Sequence, residues 1–346
     1  MAGKKPGYDR DIWRDMAELG WTGLLVPERH GGSGLTVSDM ALVAQRLAAH
    51  LSPEPLSTCA VLAARTLCRC EETPLAGSLL AQISSGETVA ALAFQEHAGQ
   101  LLGSTSGCRI SESGGSFELG GEKRFVAGGA DADGFVVSGD TGAGAVLVWV
   151  SADSKGLDVR LDPLADGRFS ATLGFNAVEI GAENFLAREN TAGAALIGAV
   201  NETTVIACAE LIGLMGAALD MTLEYLRTRV QFGKAIGSFQ GLQHRAVDLF
   251  IAQQLATASL SDALQALSHE PDAAQTMATI SRAKARCSDS AALITREAIQ
   301  MHGAIGFTED SDVGLYVKRA LTLGAWLGNS AFHRRRFLEL TPNLDT

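Results

Sequence analysis

Arg229 ends a helix-patterned segment, and Val230-Gln231-Phe232-Gly233 and then Phe239-Gln240-Gly241-Leu242-Gln243-His244 follow it. A second stretch, Gln300-Met301-His302-Gly303-Ala304-Ile305-Gly306-Phe307-Thr308, is a glycine-punctuated turn that begins with a side-chain amide. A guanidinium, carboxamides and backbone freed by glycine suit a polar ligand. The plainer account pairs Arg229 with an acid and leaves the glycines as turns. Glu210 carries different chemistry. It sits in the apolar run from Val205 to Leu219, where a buried carboxylate needs a partner or a raised pKa. It is the candidate catalytic base, or else a structural carboxylate bonded to Arg245 or Arg319. His244 is expected to make a structural or interface hydrogen bond, and His302 to satisfy backbone. No spacing suggests a metal site.

Three kinds of segment must position these residues. From Asp9 to Gly86 the pattern is helical. Ile12, Met16 and Leu19 share a face, Ser38 or Asp39 caps a helix over Met40 to His50, Pro53 and Pro55 break it, and a further helix spans Ser57 to Cys70. From Thr88 to Arg188 short β-type runs alternate with Gly, Asp and Ser, and pairs such as Gly114-Gly115 and Gly128-Gly129 mark turns. From Asn190 onward four long helices are expected: Ala194 to Arg229, Phe239 to Ser268, Ala273 to Met301, and Asp312 to Leu340. The reading is a mainly-α α+β protein. It has an N-terminal helical domain (1–87), a central antiparallel β domain (88–189) and a C-terminal four-helix bundle (190–346).

Composition narrows the function. The 346 residues are 47% apolar and 19% charged, enough for large cores. A net charge of −11 disfavours nucleic acid, whose phosphates need a basic surface. The cluster Arg334-Arg335-Arg336 reads as a solvated helix end. Six scattered cysteines suggest reduced, mostly buried thiols. The N-terminus lacks the apolar core of a signal peptide, and the uncharged run Ala320 to His333 is shorter than the roughly 20 residues of a bilayer span. The expectation is a cytoplasmic protein with no membrane span.

Together these features resemble the acyl-CoA dehydrogenase superfamily of flavoproteins. Pro27-Glu28-Arg29-His30-Gly31-Gly32-Ser33-Gly34 is similar to that family's P-E-x-H-G-G-x-G loop. Gly121 to Ala130 resembles its mid-sheet strand beside the flavin ring. Arg229 to His244 matches R-x-Q-F-G followed by F-Q-x-x-Q-H, and Gln300 to Thr308 matches Q-x-H-G-x-I-G-F-T. The resemblance implies FAD in a groove between β domain and bundle, its diphosphate and adenine running into a neighbouring subunit. Arg229 would then meet the pyrophosphate and Gln240 and Gln300 the ribose and adenine edges. Gly303 and Gly306 would allow close backbone approach, with Phe232 in the same set. Phe125, Val126 and Ala127 stand where the family has an aromatic-aliphatic-threonine triplet, so Phe125 would pack on the ring while Ala127 lacks the hydroxyl. Phe94-Gln95-Glu96-His97-Ala98-Gly99 replaces a T-E-P-G-A-G-S-like loop and keeps only its Glu and Ala-Gly.

The implied reaction is α,β-dehydrogenation of an acyl-CoA thioester, with electrons passing to an electron-transfer flavoprotein. It needs a carboxylate base. Counting along the family's motifs, the usual positions fall on Leu327 and Thr203. Glu202 is turned about 100° from the second position, while Glu210 returns to within about 20° of that face, ~10 Å along. A chain without a standard base, and a helix or so short before Asp9, suits a subset that pairs unlike subunits, often for steroid-type acyl chains. A homo- or hetero-oligomer, dimer or tetramer, follows. The competing readings are a non-catalytic scaffold subunit and a flavin oxidase or monooxygenase on the same fold.

Overall fold

Asp9 opens the first helix, α1 (Arg10–Glu18), by accepting a bond from the Asp11 amide. The face it buries is Trp13 and Met16, whereas Ile12 and Leu19 are exposed. An indole removes more surface from water than the aliphatic side chains beside it, and it turns the helix toward itself. Thr36 and Asp39 bond each other reciprocally and start α2 (Val37–Ala49), upstream of the expected cap. After Pro53 and Pro55 the chain forms a buried π-helix, Leu56–Ala63, before α3 (Ala64–Cys68). That widened stretch is rare, and nothing in the residue pattern separates it from an ordinary helix. Thr73 then caps α4 (Pro74–Ser84).

The computed structural model describes residues 7–101, 106–113 and 116–342. The expected Gly114-Gly115 turn and the N-terminal stretch to Pro6 lie outside the described residues. The chain divides into two units, one comprising Met1–Met40 with Pro53–Thr203 and the other Ala41–Ser52 with Thr204–Thr346.

The first unit holds the sheet. Its strands are β1 (Ala90–Ala93), β2 (Arg109–Ser113), β3 (Ser116–Ala127), β4 (Gly134–Asp140), β5 (Ala145–Ser151), β6 (Leu157–Pro163), β7 (Phe169–Ile180) and β8 (Phe185–Arg188). They run in the order β6-β7-β3-β2-β4-β5-β8, with β1 alongside β4. Most pairs are antiparallel as expected, but β1–β4 and β2–β4 are parallel. Turn signals reveal hairpins only, and parallel neighbours are distant in sequence. Leu119, Phe135, Val148, Leu173 and Val178 pack in the core of this sheet.

The second unit is helical. It takes in most of α5 (Glu189–Thr228), whose apolar window is long enough to cross a membrane but is 78% buried. A two-residue hairpin, β9 (Val230–Gln231) and β10 (Lys234–Ala235), leads to α6 (Gln240–His269) and α7 (Ala274–His302). The expected fourth helix is two, α8 (Val313–Ala325) and α9 (Ser330–Leu340). Leu327 and Gly328 both take positive φ between them, and Asn329 caps α9 through the Phe332 amide. Lacking a proline, the break left little trace in the apolar pattern. The fold is therefore mainly-α α+β with a helical C-terminal part.

Candidate functional site

At the end of α5, the Arg229 amide still bonds Tyr225 O, and its own carbonyl accepts from Ile236 N, which folds the hairpin back. Phe232 and Gly233 form the two-residue loop, both with positive φ, as a type I′ turn requires. A phenylalanine there is strained and 91% exposed. Such an outlier is a pointer to function. Its ring meets Phe239 edge-on, and the Lys234 ammonium sits over Phe239 at 4.3 Å. A cleft of about 440 Å³ is lined by Phe232, Phe239, Gly241, Leu242 and Arg245.

Cross-helix bonds fix which ends of the helices meet. Arg245 pairs with Glu297, Ser290 bonds Ala252 O, Cys287 bonds Ala256 O and Arg282 pairs with Asp262, so α6 and α7 run antiparallel. Extending that register brings Gln240 opposite the Gln300–Gly303 turn. Tyr225 stacks on His302 at 4.5 Å, which brings the end of α5 to the same place. Arg229, Phe232, Gln240, Gln300 and Gly303 thus gather at one end of the helical unit. Among the described residues, no carboxylate pairs with the Arg229 guanidinium. At Gly303 (φ 66°, ψ −142°) an added Cβ would meet open space, so the backbone there is approachable. Gly306 differs: its Cβ would lie 2.6 Å from Ile299 O, so it serves packing rather than ligand approach. His302 donates from Nδ1 to Ala298 O and satisfies backbone, whereas His244 is exposed.

In the other unit, β3 bulges between Lys123 and Val126, and Phe125 takes φ 56° with 39% of its surface exposed. The Arg124 guanidinium covers its ring at 5.2 Å. Val126 points into the sheet core, so its side chain is unavailable to a ligand; the bulge shifts the alternation by one residue. Ala127 is partly exposed where the strand ends.

The carboxylates have partners. Glu210 is bonded by Arg319 at 2.8 Å with both side chains nearly buried, the structural alternative weighed from sequence. Glu202 is gripped by Arg65 at 2.5 Å and Arg69 at 2.8 Å. Burial pushes its pKa up, but those bonds and charges outweigh burial and hold it below the usual carboxylate range. Thr203 spends its hydroxyl on Ala199 O, and Leu327 is buried. Neither of these two positions holds a proton acceptor.

Two buried lysines escaped the sequence reading. Lys123 bonds Glu96 at 2.6 Å on the sheet, and Lys284 donates to the carbonyls of Leu323 (2.9 Å), Gly324 (3.2 Å) and Gly328 (3.3 Å). Period-two counting from Leu119 puts Lys123 inward, and helical counting from Ile280 puts Lys284 on the buried face; the charge in each masked the pattern. All six cysteines are free thiols. Burial pushes Cys59 and Cys70 up to about 12. Among the described residues no group of three or more His, Cys, Asp or Glu could hold a metal ion.

Residues 2–72 match the family model described as acyl-CoA dehydrogenase, N-terminal domain, and residues 194–339 match acyl-CoA dehydrogenase, C-terminal domain. Acyl-CoA dehydrogenase IpdE2 of Mycolicibacterium smegmatis is 28% identical over 339 residues, covering 95% of this chain and 88% of that relative. Mitochondrial isovaleryl-CoA dehydrogenase of Pongo abelii is 27% identical over 338 residues, covering 94% and 79%. Among solved structures, the ChsE4–ChsE5 complex of Mycobacterium tuberculosis superposes with a TM-score of 0.87 at 24% identity, over 97% of this chain and 89% of that one. Butyryl-CoA dehydrogenase of Megasphaera elsdenii does so at 0.87 and 22%, over 97% and 91%. The two solved structures speak for the fold.

Proposed function

We propose that this chain, which belongs to the acyl-CoA dehydrogenase family of FAD-dependent oxidoreductases, serves as one subunit of a heteromeric acyl-CoA dehydrogenase whose base comes from an unlike partner. FAD, when bound, supplies the acceptor for the hydride leaving the substrate's β-carbon. The residues at the end of the helical unit suit its adenosine-diphosphate arm. Among the described residues no carboxylate pairs with Arg229, and its planar fork suits a pyrophosphate. Gln240 and Gln300 offer donors and acceptors for ribose and adenine, Gly303 leaves backbone uncovered, and Phe232 presents a flat apolar face. Phe125 on its bulge suits the ring end. The observation that carries this reading is the convergence of Arg229, Phe232, Gln240 and Gln300 on one end of α5–α7.

Removing an α-proton needs a carboxylate within about 3–4 Å of the carbon. Leu327 and Thr203 take no proton, and Glu210 and Glu202 are engaged by arginines. The acid–base group is therefore assigned to another polypeptide. Support for such a partner comes from α6, where Val247, Phe250, Ile251 and Leu255 form an exposed apolar stripe opposite the face packed on α7. Electrons would leave to an electron-transfer flavoprotein, and the bulk of a steroid-type acyl chain is the favoured substrate shape.

The test is a visible spectrum and turnover assay of the chain alone and coexpressed with the product of a neighbouring gene. Little flavin alone, and flavin with acyl-CoA oxidation in the pair, is the expected outcome. Full loading and turnover by the lone chain would refute the heteromer, and a colourless protein in every pairing would replace it with a scaffold.

A further inference from the structure

The buried lysine on the sheet belongs to a closed set of bonds. Besides Glu96 Oε1 at 2.6 Å, Lys123 Nζ donates to Ser106 Oγ at 2.9 Å and to Phe94 O at 3.4 Å. Glu96 is bonded several times in turn. Oε1 also accepts from Ser106 Oγ at 2.7 Å and Cys108 N at 3.3 Å, and Oε2 accepts from Gly107 N at 2.7 Å. Burial pushes this carboxyl up, yet the bonds from Lys123, Ser106 and Gly107 bring it down to about 2. It is held as an anion whose bonds are aimed at Lys123, Ser106 and the 107–108 backbone.

The same bonds join two pieces of backbone. Gln95 O accepts the Arg124 amide at 2.8 Å, next to the bulge that carries Phe125. Gln100 closes the loop, its Oε1 accepting from Glu96 N and His97 N while Gln95 Nε2 donates to its carbonyl at 2.6 Å. Space is kept for the carboxylate, since a Cβ at Gly107 would stand 2.9 Å from Glu96 Oε2.

Stability alone does not account for this arrangement. Two apolar side chains of similar volume hold a sheet as well as a buried ion pair, or better. What an ammonium and a carboxylate add is direction: each bond fixes where its partner backbone stands. We infer that Glu96 and Lys123 are positioning residues for the flavin, holding the 94–101 loop against β3 so that Phe125 meets the ring in one orientation. This rests on the reading of Phe125 given under Proposed function.

The experiment compares wild type, Glu96→Gln and the milder Ser106→Ala, each as the full chain with the partner that loads it. Amide hydrogen exchange of the flavin-free chain reports the clamp, and FAD affinity with the visible absorption band of bound flavin reports the positioning. Loss of a charge-assisted bond predicts exchange at His97 and Gly107 faster by about tenfold or more in Glu96→Gln. FAD binding weakens by about tenfold, and the flavin band moves toward that of free flavin. Ser106→Ala gives smaller changes in the same direction, and decides the matter if Glu96→Gln fails to fold. A loosened loop with affinity and band unchanged overturns the inference and leaves the flavin reading standing. A wild-type chain that takes no flavin in any pairing overturns that reading first, and the inference with it.

Discussion

Lys284→Met tests the account of the helical unit most severely, because the sign of its effect with pH is fixed in advance. Lys284 is fully buried, and its ammonium is held by three carbonyls and Ser288 Oγ. Burial pushes it down from an ordinary 10.5 to about 8, with Cys208, Cys287 and Glu210 acting the other way. The native state therefore releases this proton before the unfolded chain does. Between pH 8 and 10.5 the unfolded state binds the extra proton, so unfolding free energy rises with pH across that window. At about 1.4 kcal/mol per unit, the gain between pH 7 and pH 9.5 is about 2 kcal/mol. Methionine has nothing to titrate. Its cost at pH 7 is about 1–3 kcal/mol from stranded carbonyls, partly offset by relief of a buried charge. The assay is urea unfolding of both proteins at the two pH values. Titrations of groups that do not act on Lys284 are common to both and cancel in the double difference. Wild type should gain about 2 kcal/mol over the variant on going to pH 9.5. A double difference within about 0.5 kcal/mol of zero, or of opposite sign, would refute the picture of an ammonium whose burial outweighs the bonds it makes at the α8–α9 turn.

Three further outcomes are expected. Glu202→Gln removes the carboxylate charge that Arg65 and Arg69 share and should cost about 3 kcal/mol by chemical denaturation; because the Glu202 pKa is depressed, the stability it adds is present above the ordinary carboxylate range and lost as pH falls through its native value, so the variant's acid unfolding should be shallower. Arg229→Lys keeps the charge but not the planar fork, and should weaken FAD by about tenfold in a fluorescence titration; unchanged affinity removes Arg229 from the site. Phe250→Asp places a charge in the exposed stripe of α6 and should dissociate the assembly in sedimentation while circular dichroism stays the same; an intact assembly would mean that another surface holds it.

Much of this was legible from residue types. Periodicity found α6 and α7 nearly to their ends, because a breaker marks each: Pro271 after α6 and Gly303 after His302. Glu210 was read as a buried acid needing a partner or a raised pKa, and Arg319 bonds it. What was hidden depended on three dimensions. Leu327 carries no hint that its φ is positive, since neighbours distant in sequence impose it. The inward turn of the Val126 side chain is likewise set by a bulge and not by the strand period. Lys123 and Lys284 drew no reading at all, since only the acceptors packed around them make their burial tolerable.

The segment Ala41–Ser52 belongs to the helical unit although the chain emits it long before the rest. Gln45 O occupies the room left by the missing side chain of Gly213, and Ala49 O waits for the Tyr316 hydroxyl, 267 positions later. During synthesis, then, an early amphipathic stretch must stay unsatisfied until nearly the whole polypeptide has appeared. A cut between the halves would leave the later fragment lacking a piece encoded in the earlier one. Trans-complementation by fragments should succeed only when 41–52 is supplied with the later portion.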